Sequence, residues 1–358
     1  MKLIIQPDDG VEPLLSLIKG TKVSLELTVF RFDRSDLEKA LKTAIDRGVK
    51  VNSLIAYSNR GGEKSLRKLE LRFLDAGMTV TRTSNDLIRY HNKVMVIDSK
   101  ILAVLSFNFT HLDIDRSRGF AIVTKNKKWV AEASKLLDAD AKRTPYKCES
   151  DTFVVSPVNA RKVLGNFLKK ARKQLLIYDP KISDREMLRI LKERQEAGVE
   201  IRVIGQTKAR LPVRRLSNMR LHTRTIIRDG AQAFIGSQSL RGHELDARRE
   251  VGLIVHEAKI VNKLMTTFES DWKSAVAQKA NVRASLPKDT EPSKVDTEKA
   301  MKVLAKELQP IVTTVKKAVE KVVIETGEEI LHDGEIKETV KKVVKKVVKQ
   351  AVKDAVEA

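Results

Sequence analysis

The chain has a single cysteine among its 358 residues, Cys148. That excludes an internal disulfide and a thiolate metal cluster. Such usage leads us to expect a cytoplasmic setting. Aromatic residues make up only 4%, which argues against a stacking platform for single-stranded nucleic acid. No apolar run approaches the ~18–20 residues that span a bilayer. The opening stretch from Met1 to Asp9 turns acidic too early to read as a secretory signal.

What is abundant is positive charge. Lys and Arg number 69 against 47 Asp and Glu, a formal net of +22. From Arg283 onward there are 16 Lys and Arg and 14 Asp and Glu, a net of +2, so the part before it carries +20. Attraction to polyanions therefore belongs to the body of the chain rather than to its end. Nucleic acid, an anionic membrane surface or a phosphorylated small molecule would all fit. Solubility alone is the plain alternative, but the excess is larger than solubility needs.

Hydrophobic periodicity predicts strands at Val23–Phe30, Val49–Ala56, Met78–Thr83, Ile101–Leu105 and Phe120–Thr124. Between them lie helices from Asp33 or Ser35 to Asp46, from Gly62 to Gly77 and from Lys128 to Ala141. Beyond Pro157, where a helix to Arg172 is expected, the pattern returns. Strands are predicted at Gln174–Tyr178, Val199–Ile204, Arg220–Ile227, Ala231–Ile235 and Val251–Val255. Strands alternating with amphipathic helices make each half an α/β layered unit.

One stretch organises both halves. His91 and Lys93 stand two apart in a β-branched run, a spacing that on a strand puts both on one face. The pattern recurs 131 residues on (222 minus 91), with His222 and Arg224. The same offset carries Asp98 to Asp229, Ser106 to Ser237 and Asn108 to Ser239, and Asp140 to Asp271. Upstream, Gly48 matches Gly198 instead, so the second half lacks most of the helix between Gly62 and Gly77.

A phosphodiester repels nucleophiles through its own anion. A site for it needs fixed cations, a nucleophile, and an acid for the leaving oxygen. Two imidazoles can divide the last two tasks, with a covalent phospho-enzyme between them. Lys93 and Arg224 would supply charge, and Ser106, Asn108 and Ser237 hydrogen bonds. Ser239 also reads as a turn residue, and Asp98 and Asp229 as turn or ion-pair residues at strand ends. No metal or other cofactor is called for, and His111, His243, His256 and His332 show no partner pattern.

These residues resemble the phospholipase D superfamily, whose signature is His-x-Lys-x4-Asp-x6-Gly-Ser-x-Asn used twice. The first copy departs only at Leu105, in the Gly position. The second keeps His222, Asp229, Gly236 and Ser237 but has Arg224 and Ser239. The resemblance covers residues 15 to 280. It implies two tandem α/β/α domains related by a pseudo-twofold, the site between them, and a phosphohistidine intermediate. It also implies a catalytic set of His91, Lys93, Asp98, His222, Arg224 and Asp229, with Ser106, Asn108, Ser237 and Ser239 on the phosphate. An acidic residue is expected to orient each His. Glu250 looks like that residue for His222. Its counterpart for His91 is Gly119, which leaves Asp113 or Asp115 as substitutes. His91 is assigned as nucleophile and His222 as acid/base, although the roles could be exchanged.

The expected domains are 1–146 and 147–280, a linker over 281–300, and an amphipathic helical tail over 301–358. In the tail, Val340, Val343, Val344, Val347, Val348 and Val352 share one face and lysines fill much of the rest. The tail reads either as a helix for a membrane surface or nucleic acid, or as one packed on protein. The expected activity is a metal-independent phosphodiesterase that hydrolyses or transfers phosphatidyl groups. Its partner would be a phospholipid or an anionic membrane surface, with the protein cytoplasmic or peripheral to that membrane. The alternatives are a nuclease of the same superfamily and a non-catalytic nucleic-acid or membrane binding protein. One chain carries both motifs, so a monomer could hold a complete site.

Overall fold

Runs of alternating and β-branched residues build two twisted sheets, and amphipathic segments between them build the covering helices. The computed structural model describes residues 1–57, 63–148 and 150–277. The expected linker and tail lie outside these residues.

In the first half the strands run in the order Lys2–Gln6, Ser117–Thr124, Ile101–Leu105, Val94–Ile97, Ser24–Val29, Lys50–Ile55 and Thr79–Arg82. The second half repeats the order with Phe153–Ser156, Arg248–Val255, Gln232–Gly236, Arg224–Arg228, Gln174–Ile182, Glu200–Thr207 and Val213–Arg215. In each, the last three strands are parallel and the others antiparallel. Parallel neighbours need a crossover. Helices Ser35–Asp46 and Glu63–Asp75 provide two in the first half, and Arg185–Glu196 provides one in the second. The second crossover there is the short segment 208–212, which has no helix, as the shortened repeat predicted.

Three cores result. One lies outside each sheet, around Leu37, Leu41 and Phe73 in the first half and Leu164, Met187 and Ile190 in the second. The third is shared. It joins Val94, Val104 and Phe120 of one sheet to Ile227, Ile235 and Val251 of the other. Helices Lys127–Lys142 and Ala258–Ser274 pack into it through Leu136, Leu137, Leu264 and Phe268.

Two buried ion pairs cross between the halves. Arg118 of the first half grips Asp271 of the second through Nε and Nη2, both at 2.8 Å. Arg249 of the second half holds Asp140 of the first, with Nη2 at 2.9 Å. The 131 offset relates these pairs, so they are the same contact made twice about the pseudo-twofold. Bidentate guanidinium–carboxylate geometry is what offsets the desolvation of such charges.

Some sequence expectations are corrected. A strand at Phe153–Ser156 precedes the helix expected from Pro157, which runs only over Ala160–Lys169. The stretch expected as one strand over Arg220–Ile227 divides in two, Arg220–Leu221 and Arg224–Arg228.

Candidate active site

The division of that strand builds the site. Arg220–Leu221 pairs with Ser117–Arg118 of the first half's sheet, and Arg89–Tyr90 pairs with Arg248–Arg249 of the second's. Each half thus lends two residues to its partner's sheet, then returns to its own sheet at Val94 or Arg224. The motif His sits in the crossing. His91 N–H donates to the Arg249 carbonyl at 2.8 Å, and His222 N–H to the Arg118 carbonyl at 3.1 Å. Neither His lies within a regular strand, contrary to the sequence reading. The same two arginines that lock the halves therefore also seat the two imidazoles.

The exchange also swaps the acids. Glu250 follows Arg249, and its carboxylate meets His91 Nδ1 at 2.9 Å, not His222. The expectation that Glu250 orients His222 is therefore corrected. The reason is topological, since the strand that seats His91 is the one that carries Glu250. Gly119 occupies the matching place beside His222. A Cβ there would sit 2.8 Å from Phe107, whose ring fills the space. His222 instead faces Asp113, with Nδ1 3.4 Å from Oδ2. That distance brings the two groups close without an aligned hydrogen bond, and they form an ion pair only when His222 is protonated; His222 Nδ1 has no hydrogen-bond partner among the described residues. Asp115 does not substitute for either acid; it pairs with Arg34 at 2.7 Å and His111 at 3.1 Å.

Lys93 and Arg224 turn back in the same way. Lys93 Nζ donates to the carbonyl of His91, and Arg224 Nη1 to that of His222 at 2.6 Å. Lys93 is only 1% exposed, and His91 and His222 are 7% and 6% exposed. Burial, then the cations Lys93 and Arg224, hold the His91 pKa well below its ordinary value. His222 is also lowered, by burial first, with Asp113 opposing and Arg224, Arg220 and Lys93 adding. Burial lowers Lys93 to about 7 although Glu250 favours its charged form. Each motif cation thus acts on both imidazoles, which places the two motifs in one site. Burial raises Glu250, with Lys93 and Arg224 holding it down in part. For Asp113 the order is reversed: burial works against its carboxylate, but His222, the Asn108 N–H and Arg220 outweigh it and keep its pKa low.

Of the expected hydrogen-bonding residues, Ser106 and Ser237 bridge to the next strand through Phe120 N–H at 2.9 Å and Val251 N–H at 3.2 Å. Asn108 donates its amide to Asp113 at 2.6 Å. Ser239 donates to Asp179 and receives nothing at its hydroxyl from the motif cations; its N–H donates to Glu244 at 2.9 Å. Asn108 and Ser239 therefore brace the carboxylates Asp113 and Glu244, which the 131 offset equates.

Asp98 and Asp229 lie at the far ends of their strands, roughly 20 Å from the His at ~3.3 Å per residue. Asp98 accepts three consecutive N–H groups, of Lys22, Val23 and Ser24, at 2.7–3.2 Å. Asp229 accepts those of Arg172, Lys173 and Gln174 at 2.7–3.1 Å. Their place in the catalytic set is corrected on this geometry: they fasten one strand end to its neighbour. Other residues near the site, Glu244 among them, were not singled out in the sequence. Arg248 holds Glu244 at 3.0 Å, Arg220 holds Asp113 at 2.5 Å, and the Phe30 ring meets the His91 ring edge-on at 4.6 Å. Arg220 and Arg248 flank motif residues, which was the available signal; Phe30 left none. Among the described residues no group of three or more His, Cys, Asp or Glu is arranged to hold a metal.

A doubled His-cation site on a pseudo-twofold α/β frame is the arrangement of the phospholipase D superfamily, and the chain is a member of it. A family model described as "Cardiolipin synthase, PLD-like domain" matches residues 14–141 and 164–272, more than half of the chain, which therefore belongs to that family. Mitochondrial cardiolipin hydrolase of Canis lupus familiaris is 28% identical over 127 residues, which is 34% of this chain and 47% of that protein. Its Mus musculus namesake is 28% identical over 127 residues, 34% of this chain and 54% of that protein. The chain thus spans about half the length of the curated relatives it matches. Phosphatidylserine synthase of Haemophilus influenzae Rd KW20 superposes with a TM-score of 0.60 at 12% identity, over 86% of this chain and 94% of that one. Polyphosphate kinase from Porphyromonas gingivalis gives 0.64 at 19%, over 76% and 47%. At such identities the likeness is one of fold.

Proposed function

We propose that the protein is a phosphodiesterase that forms a covalent phosphohistidine on His91. The observation that carries this reading is the Glu250 carboxylate on His91 Nδ1 at 2.9 Å. A carboxylate there accepts the Nδ1 proton and leaves the Nε2 lone pair directed away from it. Burial keeps the imidazole neutral, hence nucleophilic. His91 Nε2 attacks phosphorus, the bond to the leaving oxygen breaks, and that oxygen takes a proton from His222. Water or an alcohol then gives its proton to His222 and attacks phosphorus, and the P–N bond breaks. Asp113 stabilises the imidazolium that His222 must become, and the arriving phosphate anion opposes the lowering by Lys93 and Arg224. Those two cations neutralise the non-bridging oxygens without any further cofactor.

The substrate is a phosphatidyl group, hydrolysed or passed to an alcohol at an anionic membrane surface. The description of the matched family and the names of the cardiolipin hydrolase relatives support this choice. No described helix is long and apolar enough to cross a membrane, which is compatible with peripheral attachment. The excess of +20 before Arg283 favours a second reading, cleavage of nucleic acid. Purified protein offered a phospholipid panel and plasmid DNA in chelator, beside His91→Ala, separates the two. Head-group release that depends on His91, with intact DNA, is the expected result. DNA nicking alone would overturn the lipid reading, and no His91-dependent turnover would overturn both.

A further inference from the structure

Each half carries one buried acid in a short helix after its motif, Asp113 in His111–Asp115 and Glu244 in Gly242–Asp246. Each accepts a backbone N–H from the polar residue of its motif, Asn108 at 2.8 Å and Ser239 at 2.9 Å. From that shared anchor the two diverge. Asp113 faces His222, which has only Gly119 where a strand-borne acid would stand. The symmetric duty for Glu244 would be to face His91. Glu250 already holds that imidazole at 2.9 Å, so Glu244 is released for another task.

Its neighbours show which. Glu244 is 1% exposed and faces three arginines. Oε1 meets Arg248 Nη1 at 3.0 Å and Arg241 Nη1 at 3.2 Å, and Oε2 lies 3.9 Å from Arg224 Nε. Arg224 Nε has no hydrogen-bond partner among the described residues, and Nη1 is held by the His222 carbonyl. Nη2 is the nitrogen left over for an anion. Lys93 has a single nitrogen, and its contact with the His91 carbonyl fixes it. An arginine ends in a planar fork, so one contact leaves the plane free to turn and a second is needed to set it. Apo contacts of this kind are often long and tighten when substrate arrives. The second half thus pairs a longer cation with a longer acid, Arg224 for Lys93 and Glu244 for Asp113.

We propose that Glu244 is a positioning residue that sets the plane of the Arg224 guanidinium, so that Nη2 meets a non-bridging oxygen of the phosphate, and that these two residues changed together from the Lys and Asp of the first half. This role rests on the phosphodiesterase reading above. Glu244 itself touches neither substrate nor the reacting atoms, and the chemistry at phosphorus is as described. Its charge also reaches the site, since it favours the charged forms of His91 and Lys93.

The test is a double-mutant cycle of Glu244→Asp and Arg224→Lys, read as kcat/KM on bis(para-nitrophenyl) phosphate. Glu244→Asp keeps the charge and withdraws it by one methylene, and should lower kcat/KM about tenfold. In the Arg224→Lys background the same change should cost less than about twofold, because a lysine there needs no second anchor. Equal fold losses in both backgrounds, the mark of a carboxylate that only supports the fold, would overturn the proposal, and so would no loss from Glu244→Asp. If Glu244→Asp folds poorly, Glu244→Gln enters the same cycle with the same expectations. Glu244→Gln also carries a pH readout. Lys93 faces Glu250, Arg224, Asp113 and Glu244, and the three carboxylates favour its charged form. Without the Glu244 charge the alkaline limb of kcat/KM should move to lower pH, whereas a limb that stays in place while activity falls would count as structural damage and against the proposal. If wild type shows no His91-dependent cleavage of this diester or of phospholipid, the phosphodiesterase reading fails on its own. Equilibrium binding of inorganic phosphate to the same proteins then decides the positioning role. Binding that Glu244→Asp weakens about threefold or more with Arg224 present, but not in the Arg224→Lys background, supports it. Equal changes in both backgrounds, or none, sink it.

Discussion

Lys93 is a charged side chain held where charge is costly, and removing it should make the protein more stable. An amine whose pKa falls from its usual 10.5 to about 7 has its charged form destabilised by about 5 kcal/mol, at 1.36 kcal/mol per pH unit. The sign follows from proton counts. Between pH 7 and 10.5 the unfolded chain holds a proton on this group that the folded chain has lost, so stability rises with pH across that window. Below pH 7 both forms are charged and the destabilisation is complete. Lys93→Met removes the charge and keeps the volume. Glu250 then loses a cation, which offsets part of the gain. The expected net gain is about 2–4 kcal/mol at pH 6.5, shrinking by roughly 3 kcal/mol by pH 9.5. Urea unfolding of both proteins at the two pH values measures it from the shift in midpoint at constant m. A variant that is less stable than wild type at pH 6.5, or a gain that does not shrink with pH, would refute the reasoning. Turnover should be lost throughout, because the proposed role of the cation is to hold the phosphate rather than the fold.

Other outcomes follow from the same geometry. Glu250→Gln should cost about 10³–10⁴ in kcat by releasing the His91 tautomer, while Asp113→Asn, whose contact is looser, should cost only about 10–10²; steady-state kinetics on one phospholipid ranks them. The alkaline limb of kcat/KM should fall as pH rises through about 7, because free-enzyme Lys93 loses its charge there, and Lys93→Arg should move that limb upward. Arg249→Met should destabilise by about 3–5 kcal/mol by leaving Asp140 buried and unpaired, and adding Asp140→Leu should recover most of it in the same unfolding assay. Asp98→Asn should leave turnover within about twofold and cost about 1–2 kcal/mol of stability, because only strand-end hydrogen bonds weaken.

The repeat made much of this legible. A fixed offset over some fifty residues located both histidines and both cations, and its growth upstream, where Gly48 matches Gly198, located the missing helix of the second half. It also aligned Asp140 with Asp271, although nothing local in the sequence showed that these carboxylates reach across to Arg249 and Arg118. The exchange of Arg89–Tyr90 and Arg220–Leu221 was not legible, because two-residue strands carry no period. Without the exchange, Glu250 was assigned to the wrong imidazole. The residue types that charge a phosphate site were plain in the chain, whereas the pairing of acid with base is a property of which sheet a strand joins. Asp98 and Asp229 show the converse case. Their motif position suggested chemistry, and three backbone N–H groups on each carboxylate give them a fastening task instead.

The proposed division of roles makes His91 the nucleophile and His222 the acid and base. It is tested most directly by trapping the intermediate. Protein carrying His222→Ala, mixed briefly with phospholipid labelled in its phosphate and quenched in alkali, should retain the label on a single peptide. The label is expected on the peptide that contains His91, acid-labile and absent from His91→Ala. Label on His222 in a His91→Ala protein, with none on His91 in the His222→Ala protein, would contradict it.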